Sequence, residues 1–189
     1  MSKLFGWLIA NFTILAAAWY TLPIGFNMVV EWLAPYTNDY LRPTLVLVYA
    51  IFVDPIGYPL MAGVWAGALF IGGLIAGTKK GAVAVAFITF LTNLGLLAFS
   101  AYNLFKYLLA GGFSLTNIPP FPEGFSIAEV LASPVIGNVV DAFLTIGGTG
   151  GTSTGLQTLL VSIAIMLVVP LIIGIIAGII GASIRPKED

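Results

Sequence analysis

Apolar residues run through this chain in four long stretches, set apart by segments where polar residues, prolines and glycines gather. The stretches extend from about Leu4 to Thr21, Pro55 to Gly77, Gly81 to Leu108 and Leu156 to Ile184. Each is near or above the ~20 residues that cross a ~30 Å hydrocarbon core at about 1.5 Å per residue. The pattern predicts an all-α integral membrane protein, a four-helix transmembrane bundle forming one membrane domain over residues 1–189. The third and fourth stretches are long enough to tilt or to project into water. Pro170 falls inside the fourth and is expected to kink it. Lys3, the apolar run after it and Ala16-Ala17-Ala18 imitate a secretion signal. This segment is expected to stay on the protein as its first membrane helix.

Two long connections, residues 22–54 and 109–155, separate the spans on one side and are expected to be partly helical. In the first, Thr44 to Val53 is apolar but too short to span, and Asp54-Pro55 reads as the N-cap and first residue of span two. The second begins Pro-rich, from Ile118 to Pro122, and continues into a capping box from Ser126 to Glu129. Ser133-Pro134 then starts a short helix to about Ile146, and a Gly/Thr/Ser linker runs from Gly147 to Gly155. Both connections are unusually apolar for segments in water. That surface calls for burial on the other connection, on the bilayer or on another subunit. A weak internal similarity sets residues 1–80 beside 81–189 as parallel repeats, with Pro43 to Gly57 against Pro134 to Gly148. Transporter folds often contain repeats of this kind, and apolar sequence of low complexity produces the same matches by chance.

The few charges orient the bundle. Lys79 and Lys80 occupy the short turn between spans two and three, Lys3 precedes span one, and Arg185 and Lys187 follow span four. With four spans these five share one side, against Arg42 and Lys106 on the other. The positive-inside rule makes the five-cation side cytoplasmic, so both termini are expected inside, at the cell membrane. Trp7, Trp19, Tyr20, Tyr58 and Tyr107 fall near span ends, where aromatic rings suit the interface.

Within the spans, small residues recur every four positions. Span two carries Gly63 and Gly67, then Gly73 and Gly77, with Ala68, Gly72 and Ala76 in a second series; span four carries Gly174 and Gly178, followed by Gly181. This GxxxG-type spacing lines one helix face with small groups and lets another backbone approach closely. Thr89, Asn93, Ser100 and Asn103 keep to one face of span three. Asn93 is expected near mid-bilayer, with Asn11 of span one and Thr158 and Ser162 of span four as possible partners. Interhelical hydrogen bonds explain these groups most simply, and a polar solute path is the competing explanation.

Composition narrows the chemistry. The chain is 59% hydrophobic and 8% charged, has no His or Cys and a formal net charge of −1. Soluble domains carry roughly 25% charged residues. Missing His and Cys remove the common haem, iron–sulfur, zinc and thiol chemistries, and no base is present to activate a serine. Neither catalytic nor cofactor- or metal-binding residues are therefore expected. No charge stands at the centre of a span, which argues against proton relays, ion pumps and voltage sensing. The Gly/Thr run at 147–155 lacks the lysine of a phosphate loop, and no clustered Lys or Arg offers a surface to nucleic acid. Together these readings lead to a non-catalytic accessory subunit of a multi-subunit membrane complex, packed against cofactor-bearing partners. Respiratory or other energy-converting assemblies are candidate hosts. The alternative is a small-solute transporter or channel acting as a homo-oligomer.

Overall fold

The computed structural model describes residues 2–57, 59–112, 120–133, 136, 137, 140, 144 and 151–184. Among these there is helix and no strand. Seven α-helices follow in order: α1 (Ser2–Tyr20), α2 (Ile24–Leu33), α3 (Leu41–Ile51), α4 (Pro59–Ala76), α5 (Lys79–Tyr107), α6 (Ile127–Leu131) and α7 (Gly151–Ile184). Four helical segments are long and apolar enough to cross a membrane: Ser2–Tyr20, Pro59–Ala76, Lys79–Ala110 and Leu160–Ile184.

These helices turn their bulk outward. Phe12, Phe87, Phe99, Ile165, Ile172 and Ile176 are exposed, while the buried face of α1 is Gly6, Ala10, Asn11, Ile14 and Ala18. The buried side of α7, among its described side chains, is Met166, Pro170, Gly174, Gly178 and Ala182, one residue in every four, with Gly181 beside them. An exterior of large apolar side chains around an interior of small and polar ones suits a hydrocarbon solvent, where close packing rather than expulsion of water joins helices.

The turn between α4 and α5 is built from its sequence. Gly77 ends α4 at φ 73°, in the left-handed conformation glycine adopts without strain. The Thr78 hydroxyl then accepts from the Gly81 backbone N–H at 3.1 Å and caps α5. Gly77, which the four-residue spacing assigned to a packing face, is buried and also forms the helix terminus.

The first long connection does more than join two spans. After α2, the 3-10 turn Ala34–Tyr36 leads into α3. Asn38 donates to the Asn103 carbonyl at 3.0 Å, and Thr44 meets Ser100 at 2.8 Å. Rising numbers on α3 thus meet falling numbers on α5, so α3 runs down α5 from its far end into the bundle. Its eleven residues make about 16 Å, roughly half a hydrocarbon core. Tyr49, Ala50, Ile51 and Val53 are buried with Trp65 in the main core. Asp54 is not the cap of the next span. Its Oδ1 accepts from the N–H of Ile56 at 3.0 Å and of Gly57 at 2.9 Å, closing a turn, and α4 starts only at Pro59. The physical reason is that the chain leaves α3 tied into the bundle and must reverse before a new helix can begin.

The described part of the second long connection packs on the first. Gly25 of α2 lies against α6, where a Cβ would overlap the Glu129 carbonyl and the Ser133 hydroxyl. Trp32 meets Phe121 and Phe125 at ring-centroid distances of 4.8 and 5.3 Å. The two apolar connections thus bury part of their surface on each other. Ser126 caps α6 by accepting from Glu129 N–H at 3.3 Å, one half of a capping box. Most of the helix expected from Ser133 to Ile146 lies outside the described residues, so the expected match of Pro43 to Gly57 with Pro134 to Gly148 has no second member there. Helix α7 begins at Gly151, inside the glycine-rich stretch assigned to a linker; residues 147–150 lie outside the described residues.

Candidate functional site

The polar groups of the bundle meet where α1 faces α5. Asn93 stands at the midpoint of α5 and is fully buried, as is Thr89. Its Nδ2 donates to Asn11 Oδ1 at 2.9 Å across the helix interface and to the Thr89 carbonyl at 2.9 Å on its own helix. Asn11 Nδ2 donates to the Trp7 carbonyl at 2.9 Å and lies 3.5 Å from Thr89 Oγ1. One turn toward the end of α1, the Trp7 indole N–H donates to Thr92 Oγ1 at 3.1 Å. Trp7, placed at the interface by its position, thus also ties α1 to α5. The Asn93 side-chain oxygen is buried with no hydrogen-bond partner.

Farther along the stripe, Ser100 bonds Thr44 of α3, and both hydroxyls lie on the Tyr40 carbonyl, at 3.4 and 2.6 Å. Asn103 is half-buried; its Nδ2 returns to the Phe99 carbonyl at 2.8 Å, and its own carbonyl takes Asn38. Ser162 is half-buried on α7 and takes no part in the Asn11–Thr89–Asn93 network, and the Thr158 side chain lies outside the described residues. Apart from the Asn93 oxygen, which has no partner among the described residues, the hydrogen bonds of the polar stripe go to α1 and α3, to backbone and to the stripe itself.

The Asn11–Asn93 bond lends itself to a double-mutant cycle. Asn93→Leu leaves Asn11 Oδ1 buried without its donor and is expected to cost about 1–3 kcal/mol. Adding Asn11→Leu is expected to cost less than the sum of the singles, because both halves of the bond are then gone. Chemical unfolding in detergent, followed by helix content, measures all four corners; strictly additive losses would contradict the pairing.

The small residues divide into those with a neighbour and those without. A Cβ on Gly73 would overlap the backbone of Gly178, one on Gly181 the Phe70 carbonyl, one on Gly174 the Leu69 side chain. Leu69 with Gly174 and Gly73 with Gly178 show α4 and α7 running in the same direction. Gly72 meets Gly6 of α1, a contact the spacing rules did not single out. Gly63 and Gly67 are exposed and face nothing within 4 Å. They pack no helix of the described chain.

Two further joints escaped sequence reasoning. The Trp65 ring is fully buried; its indole N–H donates to the Ala50 carbonyl at 2.7 Å, and its ring centroid lies 6.4 Å from that of Phe90. Pro170 has no N–H to give the carbonyl four residues back, at Met166. The backbone N–H of Val53, just past α3, donates to that carbonyl at 3.2 Å. The Ala50 carbonyl near the end of α3 and the Met166 carbonyl freed in α7 are thus satisfied inside an apolar bundle, a requirement wherever water is absent.

No group of three or more acidic side chains comes together among the described residues. The arrangement ties α1, α3 and α5 to one another through hydrogen bonds. These features define an all-helical protein with four helices long and apolar enough to cross a membrane, and a short helix folded back among them. No protein family model matches the chain, and neither the curated proteins nor the solved structures contain a significant match to it.

Proposed function

We propose that this chain is a non-catalytic subunit of a multi-subunit integral membrane complex, with both termini on the cytoplasmic side of the cell membrane. The observation that carries the proposal is the exposed strip of α4. Gly63 and Gly67, flanked by exposed Leu60 and Ile71, offer bare backbone beside apolar side chains. The other small faces of α4 are already filled by α1 and α7. A strip of this shape accepts a helix of another membrane protein at close range. The inward polar groups support the reading, since their hydrogen bonds are made within the chain and few remain for a solute. Lys3 reaching Gly81, beside Lys79 and Lys80, supports the orientation by gathering cations at one end.

Gly67→Leu is expected to leave helix content and unfolding of the isolated chain within about 0.5 kcal/mol of the parent, as for surface changes that touch nothing. The same change is expected to strip partner subunits from the protein extracted in mild detergent. Partners retained in full by both Gly63→Leu and Gly67→Leu would contradict this use of α4.

One observation favours the second reading, a homo-oligomeric small-solute transporter or channel. It is the unpartnered Asn93 oxygen in the middle of the bundle, a group that a passing polar solute would satisfy. Liposome flux that is absent, or unchanged by Asn93→Leu, speaks against it.

A further inference from the structure

On the outward side of α1, α3 and α5 lies a groove of about 320 Å³, within the size range of ligand pockets. Leu15 and Trp19 of α1, Val46 and Leu47 of α3, and Leu96 and Phe99 of α5 form its walls. Trp19, Leu96 and Phe99 are exposed at the rim, so the groove opens sideways, away from the bundle axis. Ser100 reaches the lining, but its hydroxyl is turned to Thr44 and the Tyr40 carbonyl. The walls therefore offer carbon surface alone, which a hydrocarbon chain fills and a polar solute does not.

One end of the groove has a different chemistry. A second hollow of about 250 Å³ adjoins it, sharing Trp19, Asp39 and Pro43 and adding Asn38 and Arg42. The Arg42 guanidinium carbon sits 4.6 Å from the centroid of the Trp19 ring, so the cation is held over the groove mouth while its N–H edge can still donate. Asp39 supplies the opposite charge at the same mouth. Asn38 is committed elsewhere, to the Asn103 carbonyl and the Tyr40 N–H. No ion pair holds Arg42 or Asp39 among the described residues. An apolar trough capped by one cation and one anion matches a molecule with a long hydrocarbon tail and a zwitterionic head.

We propose that this groove binds one glycerophospholipid bearing a primary amine, with an acyl chain between α1, α3 and α5, its phosphate on Arg42 and its ammonium on Asp39. Guanidinium and phosphate form the strong, forked class of hydrogen bond. An ammonium donates three hydrogen bonds to carboxylate and amide oxygens, and a quaternary amine donates none. The lipid would cover the seam where the half-length helix α3 leaves α5 incompletely shielded. This inference rests on the chain lying in a bilayer.

The test is native mass spectrometry of the protein, with any subunits it retains, after extraction from vesicles of equal parts phosphatidylethanolamine, phosphatidylglycerol and phosphatidylcholine. The parent protein is expected to keep one phosphatidylethanolamine in preference to the other two. Arg42→Gln, on the exposed rim, and Leu15→Trp, which fills the trough, are each expected to lower the retained fraction about tenfold, the equivalent of ~1.4 kcal/mol. Asp39→Asn is expected to abolish the preference for the amine while leaving a lipid bound. Retention of the three lipids in their input ratio by the parent protein overturns the proposal. So does an unchanged fraction in Arg42→Gln, which stands as the deciding variant if Leu15→Trp does not fold. A chain recovered in the aqueous phase without detergent would overturn the membrane reading itself, whereas a chain that needs detergent yet keeps no lipid overturns only the groove.

Discussion

Gly73→Ala is expected to destabilise the bundle by about 3 kcal/mol, at the upper end of overpacking costs, while Gly178→Ala costs under about 1 kcal/mol. The asymmetry comes from geometry, because the two glycines belong to one helix contact. A Cβ on Gly73 points into the backbone of Gly178, and backbone on both sides leaves nothing flexible to yield. A Cβ on Gly178 meets the Leu69 carbonyl and Ala82 at 3.4 Å and beyond, ordinary van der Waals distance. Both changes gain the same helix propensity, up to ~1 kcal/mol, so the difference between them isolates the contact. Thermal unfolding of the detergent-solubilised protein, read by helix content, measures it. Equal effects at the two positions would show that α4 and α7 do not meet face to face as described.

Trp65→Ala is expected to be the most damaging single change, at about 3–5 kcal/mol, the range for emptying a buried aromatic site. Trp65→Phe separates the two contributions, keeping most of the apolar volume and losing only the N–H. That variant is expected to cost about 1–3 kcal/mol, because the Ala50 carbonyl is left buried without its donor. The loss is expected to be local first. Amides from Leu45 to Val53 should exchange with solvent faster in Trp65→Phe than in the parent, while those around Gly73 hold. Uniform acceleration across all helices would mean that the indole does not specifically anchor α3.

Much of this architecture could be read from the chain. The four spans follow from length and apolar composition, and the short α4–α5 turn from the two lysines, Lys79 and Lys80, between two apolar runs. The polar face of α5 follows from the spacing of Thr89, Asn93 and Ser100, and Asn11 stood out because few polar residues interrupt α1. What could not be read depends on which helices are neighbours. Spacing marks Gly63, Gly67, Gly73 and Gly77 alike, yet the four have different surroundings. Gly73 touches Gly178, Gly77 terminates a helix, and Gly63 and Gly67 face outward. A four-residue repeat gives a face but not what lies against it.

The same limit applies to α3. The eleven residues between Tyr40 and Phe52, most of them apolar, are too few to span, and nothing local says whether they lie on the membrane or turn into it. The decisive partners are distant in sequence: Trp65 for the Ala50 carbonyl, and Met166 for the Val53 N–H. Pro170 did carry half of the second signal, since a proline within a helix frees the carbonyl four residues earlier. A donor had to exist, but its identity was not legible. Asp54 misled for a related reason. Asp before Pro fits both a helix cap and a tight turn, and the choice is made by α3 ending inside the bundle.

The central claim is that packing against other membrane proteins is this chain's work. It is tested most directly by extracting the native protein from its membrane in mild detergent and weighing the particle. A particle well above the 19.9 kDa of the chain is expected, containing other membrane proteins and shrinking when Gly67 is replaced by leucine although the chain stays helical. A lone 19.9 kDa chain in its detergent shell, or an assembly of identical copies alone, would contradict it.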